Sequence, residues 1–189
     1  MWKPRFANAR AFTSARLHEQ AAMQSPPSVV AVAAALQSAF AKGGKVLLFG
    51  NGGSALDAQH FAAELVGRFA RERRALAAIS LTTDTSILTS VANDYTYERV
   101  FARQVEALGR AGDVAIGIST SGASANVLAA LQTAKTRGLK TVAFTGRDGG
   151  AMGAMVDVHV NVPNTVTARI QEVHRSLIHA VCQLVERDL

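Results

Sequence analysis

His60 and Glu64 stand four residues apart, a spacing that places an imidazole and a carboxylate on one face of a helix. Gln171 and His179 stand eight apart near the C-terminus, two helical turns along nearly the same face. Two imidazoles, a carboxylate and an amide oxygen make a Zn²⁺ ligand set in which the amide is the unusual member. Carboxylates and imidazoles can also serve as general acids or bases. Lone histidines on helices are more often surface or half-buried structural residues, and spacing alone leaves both readings open. Glu172 and His174 are further acid–base candidates, turned off the Gln171–His179 face, with His174 expected to be half-buried. His18 and His159 have no companions and read as structural.

A second signal is one pattern used three times. Val46–Phe49 runs into Gly50-Asn51-Gly52-Gly53-Ser54, Val114–Ile118 into Ser119-Thr120-Ser121-Gly122-Ala123-Ser124, and Val142–Phe144 into Thr145-Gly146-Arg147-Asp148-Gly149-Gly150. In a parallel sheet such loops emerge on one edge, where ligands bind. Small residues let the backbone approach a ligand, and hydroxyls with N–H groups at helix starts suit an anion. The loop at 119–124 gathers the hydroxyls of Ser119, Thr120, Ser121 and Ser124 around one glycine, enough to wrap a phosphate dianion without a lysine. The competing reading is capping of a helix that starts near Ser124, which needs only one hydroxyl. Asn93-Asp94 sits in a polar break; Asp94 either caps the segment beginning near Tyr97 or touches a sugar hydroxyl.

Other phosphate and nucleophile signatures fail. The first loop has Ala55 where a dinucleotide fingerprint needs its third glycine, and strand two ends in Ser80-Leu81-Thr82 without the ribose-binding acid. Neither a P-loop nor a G-x-S-x-G elbow is present.

The elements that must position these groups follow from periodicity. Helices are expected over 5–23 and 28–41, separated by Ser25-Pro26-Pro27, which ends one and begins the next. Then come a strand at 45–49, a helix from Ser54 to Phe69 and a strand at 76–81. Helical segments follow at 84–91 and 97–109, a strand at 113–118, a helix at 124–137, strands at 140–145 and 156–161, and a helix at 166–187. Apolar strands without polar alternation are buried on both faces, as parallel strands between helices must be. The expectation is one domain over 1–189, with an N-terminal helical pair (1–42) before an α/β core (43–189). The core is a three-layer sandwich around a five-stranded parallel sheet.

The 189 residues suffice to bury roughly 70% of the unfolded surface, and 49% apolar with 18% charged residues fits a soluble globule. No apolar run reaches the ~20 residues a membrane helix needs. Met1-Trp2-Lys3-Pro4-Arg5 is basic without a following apolar stretch. Arg5, Arg10 and Arg16 read as a solvated helix face, so a cytoplasmic location is expected. The net charge of +6 includes one cluster, Arg68, Arg71, Arg73 and Arg74, with no interleaved aromatics. Direct nucleic-acid binding is therefore not expected. Cys182 is the lone cysteine, read as a buried small hydrophobe.

At these residues the sequence resembles the SIS (sugar isomerase) domain family, in its phosphoheptose isomerase branch. The resemblance runs from about Gly43 to Glu186. It is carried by Gly50–Ser54, Asp57-Ala58-Gln59-His60-Phe61-Ala62-Ala63-Glu64-Leu65, Ala92-Asn93-Asp94, Gly117–Gly122, Thr145–Gly150 and Arg169-Ile170-Gln171-Glu172-Val173-His174. It implies a flavodoxin-like sheet and a homotetramer with active sites between subunits. By position, Ser119, Thr120, Ser121 and Ser124 would hold the phosphate, while Asn51, Gly52, Gly53, Ser54, Asn93, Asp94 and Gln171 would line the substrate. His60, Glu64, Gln171 and His179 match zinc-ligand positions, with Glu64 and His179 as the proton-transfer pair. The implied reaction interconverts sedoheptulose 7-phosphate and D-glycero-D-manno-heptose 7-phosphate, which opens the heptose branch of lipopolysaccharide biosynthesis.

A sister branch of the same fold binds the bacterial replication initiator without catalysis and shares the Gln-His-Phe-Ala-Ala and Ala-Arg-Ile-Gln-Glu stretches. That branch lacks the glutamate and the final histidine that this chain has in Glu64 and His179. Three departures stand out. Ala123 replaces the usual Asn of the phosphate loop, Ala168 an Asp of some members, and Arg73–Ala77 lacks expected prolines, read as altering a surface connection only.

Overall fold

The computed structural model describes residues 4–187, with side chains from residue 13 onward. The basic start at residues 1–3 and the side chains of Arg5 and Arg10 lie outside the described residues; Arg16 is exposed. Two helices come first, α1 (Pro4–Gln24) and α2 (Pro26–Ala41), with proline at the start of α2 where its missing N–H costs nothing. The alternation then runs β1 (Val46–Gly50), α3 (Gly53–Val66), β2 (Ala78–Ser80), α4 (Thr85–Asp94), a 3-10 turn (Tyr97–Arg99) and α5 (Ala102–Leu108). It continues with β3 (Val114–Ser119), α6 (Ala125–Thr136), β4 (Lys140–Gly146), α7 (Gly150–Met155), β5 (Val158–Val162) and α8 (Thr167–Arg187).

All five strands are parallel, in the order β2-β1-β3-β4-β5. This is the flavodoxin-like arrangement, whose switch point lies between β1 and β3. Successive residues of β1 alternate between two cores. Val46 and Leu48 face Leu36, Phe61, Ile178 and Val181 of α2, α3 and α8. Leu47 and Phe49 face Phe101, Val105, Val127 and Leu131 of the opposite layer. Strands β1 and β3 are buried along their length and β4 after its first residue, whereas edge strands β2 and β5 are only partly covered. Helix α1 packs on α8, and α2 on α8 and β5. Among the described residues no helix is long and apolar enough to cross a membrane.

Several expected boundaries move. Helix α3 ends at Val66 and not at Phe69, because the N–H groups of Phe69, Ala70 and Arg71 all donate to the Glu186 carboxylate of α8. The strand expected at 76–81 shrinks to three residues on the sheet edge, and that expected at 156–161 slides to Val158–Val162. Helix α7 fills part of the gap before β5 and was not expected; its Gly-Ala-Met-Gly-Ala-Met run is too short and glycine-rich to announce a helix. Asp94 does not cap the segment at Tyr97. It is the last residue of α4, and Asp84 is the residue that caps, accepting from the Ile87 N–H at the start of α4.

The Arg73–Ala77 stretch is more than a surface connection. The Arg73 side chain is only 5% exposed and pairs with the buried Glu186 carboxylate at 3.1 Å. Its other N–H groups donate to the carbonyls of Glu64, Leu65, Gly67 and Arg74, closing the end of α3. Cys182 is buried, its thiol pushed up to about 12 by desolvation and then by the nearby Glu64 and Glu186 carboxylates, as an inert core residue should be.

Candidate active site

The loops after β1 and β3 leave neighbouring strands in register, Gly50 opposite Ile118. The helices that follow, α3 and α6, therefore both begin at the switch point and aim their positive dipole ends there. Between them lies a cavity of about 310 Å³ lined by Asn51, Gly52, Gly53, Ser54, Ser119, Thr120, Ser121, Ser124, Thr167 and Gln171. The sequence expectation for the phosphate loop and the first glycine loop meets here in one place.

The capping reading of the Ser119–Ser124 loop fails. Ser124 occupies the N-cap of α6 but makes no side-chain cap bond. Its hydroxyl instead pairs with that of Ser119 at 2.8 Å, and Ser119 approaches Ser121 at 3.3 Å. The hydroxyls thus bond chiefly to each other at the cavity wall, an arrangement an anion's oxygens can enter by exchanging weak neutral bonds for charge-assisted ones. Gly122 turns the loop at φ +65°, where a Cβ would meet the Gly149 carbonyl. The third loop accordingly buttresses the second, with Met152 N–H donating to the Gly122 carbonyl.

Asn51 lines the cavity, yet its amide is committed. Asn51 Nδ2 donates to Asn126 Oδ1 at 2.8 Å, Asn126 Nδ2 returns the bond to Asn51 Oδ1 at 2.9 Å, and Tyr97 OH donates to the same oxygen at 3.0 Å. Asn126 and Tyr97, which sequence reasoning missed, therefore fix the loop that carries Gly52 and Gly53. Their only sequence signal was an asparagine in the first turn of a helix following a hydroxyl loop.

The imidazole and carboxylate candidates converge two helix turns further along. His60 and Glu64 project from α3 toward His179 of α8. His60 Nε2 and His179 Nε2 are 2.7 Å apart, and His60 Nε2 is 3.6 Å from Glu64 Oε1. One ligand atom from each of the three lies within 4.8 Å of the others, all half-buried, a donor set suited to a divalent metal ion. The His179 imidazole titrates below its ordinary value, chiefly through burial, then through the adjoining His60 and Arg175, with Glu64 opposing. The Phe69 ring lies beside it, with the ring centres 5.4 Å apart.

Gln171 joins the two groups. It lines the hydroxyl-loop cavity and also a second cavity of about 590 Å³ shared with Ser14, His18, Ala168, Glu172, Arg175, Ser176 and His179. It lies so close to Gly53 that a Cβ there would strike its amide nitrogen. A side chain at position 53 would therefore have to push the Gln171 amide aside, although the backbone there is open to any residue. Asn93 and Asp94 are not brought in; they are exposed, bond to each other at 2.9 Å and line neither cavity.

The remaining candidates take structural or rim positions. His174 is fully buried rather than half-buried, with Nε2 donating to the Thr145 carbonyl at 2.9 Å. Desolvation holds it neutral despite that bond and the nearby Asp57. Glu172 accepts from Ser14 and pairs with Arg169. His18 bonds the Ser14 carbonyl and the Ser176 hydroxyl, and His159 bonds the Thr145 hydroxyl at 2.6 Å.

Against known proteins, residues 11–146 match the model of the SIS domain family. The chain is 61% identical to a phosphoheptose isomerase of Roseiflexus, over 86% of this chain and 83% of that protein. It is 57% identical to one of Pelobacter propionicus, over 92% of each. The phosphoheptose isomerase structure from Neisseria gonorrhoeae superposes with a TM-score of 0.92 at 48% identity, covering 97% of this chain and 98% of that one. The one from Francisella tularensis gives 0.95 at 37% identity, covering 99% and 100%.

Proposed function

This chain belongs to the SIS domain family, among its phosphoheptose isomerases, and from that we propose that it interconverts sedoheptulose 7-phosphate and D-glycero-D-manno-heptose 7-phosphate. The observation that carries the reading is the meeting of Glu64 and His179, with Gln171 lining both the cavity that His179 lines and the cavity walled by the hydroxyl loop. The phosphate sits on Ser119, Thr120, Ser121 and Ser124 at the two helix starts, which leaves the carbonyl end of the sugar toward α3 and α8.

Glu64 removes the proton from C1 of the ketose. The C–H electron pair becomes the C1=C2 bond of an enediol as the C2 carbonyl oxygen takes up a proton. Loss of the O1 proton and return of a proton to C2 then complete the aldose. His179 is the partner acid, giving and taking protons at the ring nitrogen it does not offer to a metal. His60, Glu64, Gln171 and His179 would hold a Zn²⁺ ion, which when bound polarises the carbonyl and stabilises the enediolate oxygens. Where Glu64 is a ligand its basicity falls, so its two roles compete.

We place the enzyme in the cytoplasm, at the entry to the heptose branch of lipopolysaccharide biosynthesis, as a homotetramer with sites completed between subunits. Supporting the assembly are exposed apolar residues such as Val30, Leu56, Tyr95 and Tyr97, each more than half exposed in the single chain.

The test is aldose formation from sedoheptulose 7-phosphate followed by NMR, with a chelator and with Zn²⁺ restored. Turnover lost to the chelator and regained with Zn²⁺ is expected. Turnover that survives chelation keeps the isomerase and removes the metal. A folded protein without turnover, which instead binds the replication initiator, would move the chain to the non-catalytic sister branch.

Replacing Ser121 by Ala is expected to raise KM roughly ten- to a hundredfold while kcat changes less. One hydroxyl bond to a charged group contributes about 1.5–3 kcal/mol, and the phosphate is held alike in ground and transition states. Steady-state kinetics at varied substrate decides it, and an unchanged KM would remove the loop from the substrate site.

A further inference from the structure

Helices α3 and α8 run side by side from the same sheet edge, and their contact carries polar rungs at successive turns. Gly53 faces Gln171, Asp57 faces Arg175, and His60 faces His179. Beyond them Glu186 of α8 seats on the backbone just after α3. The rest of the contact is apolar, with Phe61, Leu65, Ile178 and Val181. Apolar side chains hold two helices together without fixing how far one has slid along the other. A directional charged pair does fix that, and register is the best-attested use of such pairs.

The middle rung is built for this. Asp57 is 1% exposed, and Arg175 Nη2 and Nε both donate to its Oδ1, at 2.7 and 3.2 Å. Asp57 Oδ2 has no partner among the described residues, so Arg175 is the carboxylate's one compensating charge there. Arg175 also stands four residues from both Gln171 and His179, on their face of α8 and in the cavity they share.

We infer that the Asp57–Arg175 pair is a positioning device. It sets the register of α8 on α3 so that Gln171 and His179 arrive at His60 and Glu64 with their ligand atoms already converged. The inference rests on the proposed metal-assisted isomerase. Arg175 is a positioning residue and takes no proton in the reaction.

The test is a Zn²⁺ titration of metal-stripped protein against a chromophoric chelator, far below the Tm of every variant. Arg175→Met is expected to bind Zn²⁺ roughly ten- to hundredfold more weakly, the order of loss seen when groups that orient metal ligands are removed. Arg175→Lys should recover most of the affinity. A lowered Tm with unchanged Zn²⁺ affinity would reduce the pair to a structural role and overturn the inference. A double-mutant cycle on kcat/KM gives a second readout: Arg175→Met and His179→Ala together should lower activity by much less than the product of their single losses, because part of the effect of Arg175 runs through His179. Losses that multiply would overturn it. If the wild type turns over without binding Zn²⁺, the metal reading fails and the cycle alone decides. If it does neither, the reading of the site falls and the inference with it.

Discussion

Glu64→Gln should lower kcat by roughly 10²- to 10⁴-fold, the range in which a positioned general base contributes. Gln keeps the shape and one oxygen acceptor but cannot take a proton from carbon. Because the same carboxylate stands 3.6 Å from His60 Nε2 within the metal-ligand cluster, bound Zn²⁺ has to be counted alongside the rate. A slow variant that retains its metal identifies a base; a slow variant that has lost it, and recovers with excess Zn²⁺, identifies a ligand. His179→Ala is expected to fall in the same range, and the double variant to lose little more, since the two act as one unit. Normal turnover by either single variant would end the assignment of roles.

Glu186→Gln should cost about 3 kcal/mol of stability, the lower end of what breaking a buried ion pair costs. At roughly 2–4 °C per kcal/mol for a chain of this size, Tm should drop by about 6–12 °C. The carboxylate accepts from three backbone N–H groups and from Arg73, and an amide can satisfy only part of that set. Burial alone would raise its pKa. The N–H groups of Ala70, Phe69 and Arg71, with the charge of Arg73, more than offset this and hold it below the ordinary Glu value. A depressed folded pKa means that its contribution is fully present above the unfolded value and is lost as pH falls through the folded one. The wild type should therefore lose stability as pH falls below about 4.5 in a window where Glu186→Gln is flatter. Calorimetric scans across that range check both points, and equal Tm values at pH 7 would show the pair to be dispensable.

The fold was largely legible because its signals are local. Apolar runs such as Val46–Phe49 and Val114–Ile118 can be buried on both faces only in a parallel sheet between helices. Small, hydroxylated loops after each run mark the edge where ligands bind. Boundaries failed where a distant partner overrode local pattern. The last turn expected of α3 is undone by a carboxylate more than a hundred residues away, which no window along the chain can register. Helix α7 was hidden by its glycines, which are needed for contact with the His159 ring and the Gly122 loop.

The site divides along the same line. Sequence by itself determined which chemistry was available: hydroxyls at 119–124, an imidazole and carboxylate at 60 and 64, an amide and imidazole at 171 and 179. Spacing within one helix fixes which side chains share a face, so each half of the cluster was readable alone. Only the tertiary structure decided that the halves meet, with His60 and His179 at 2.7 Å. It also decided that Asn51 is locked by Asn126 and Tyr97, that Asn93 and Asp94 line neither cavity, and that Arg73 is buried beside Glu186. The physical reason is that a side chain's type and face are set by its near neighbours in the chain. Its partner is set by how whole helices settle on the sheet, through burial summed over contacts far apart in sequence.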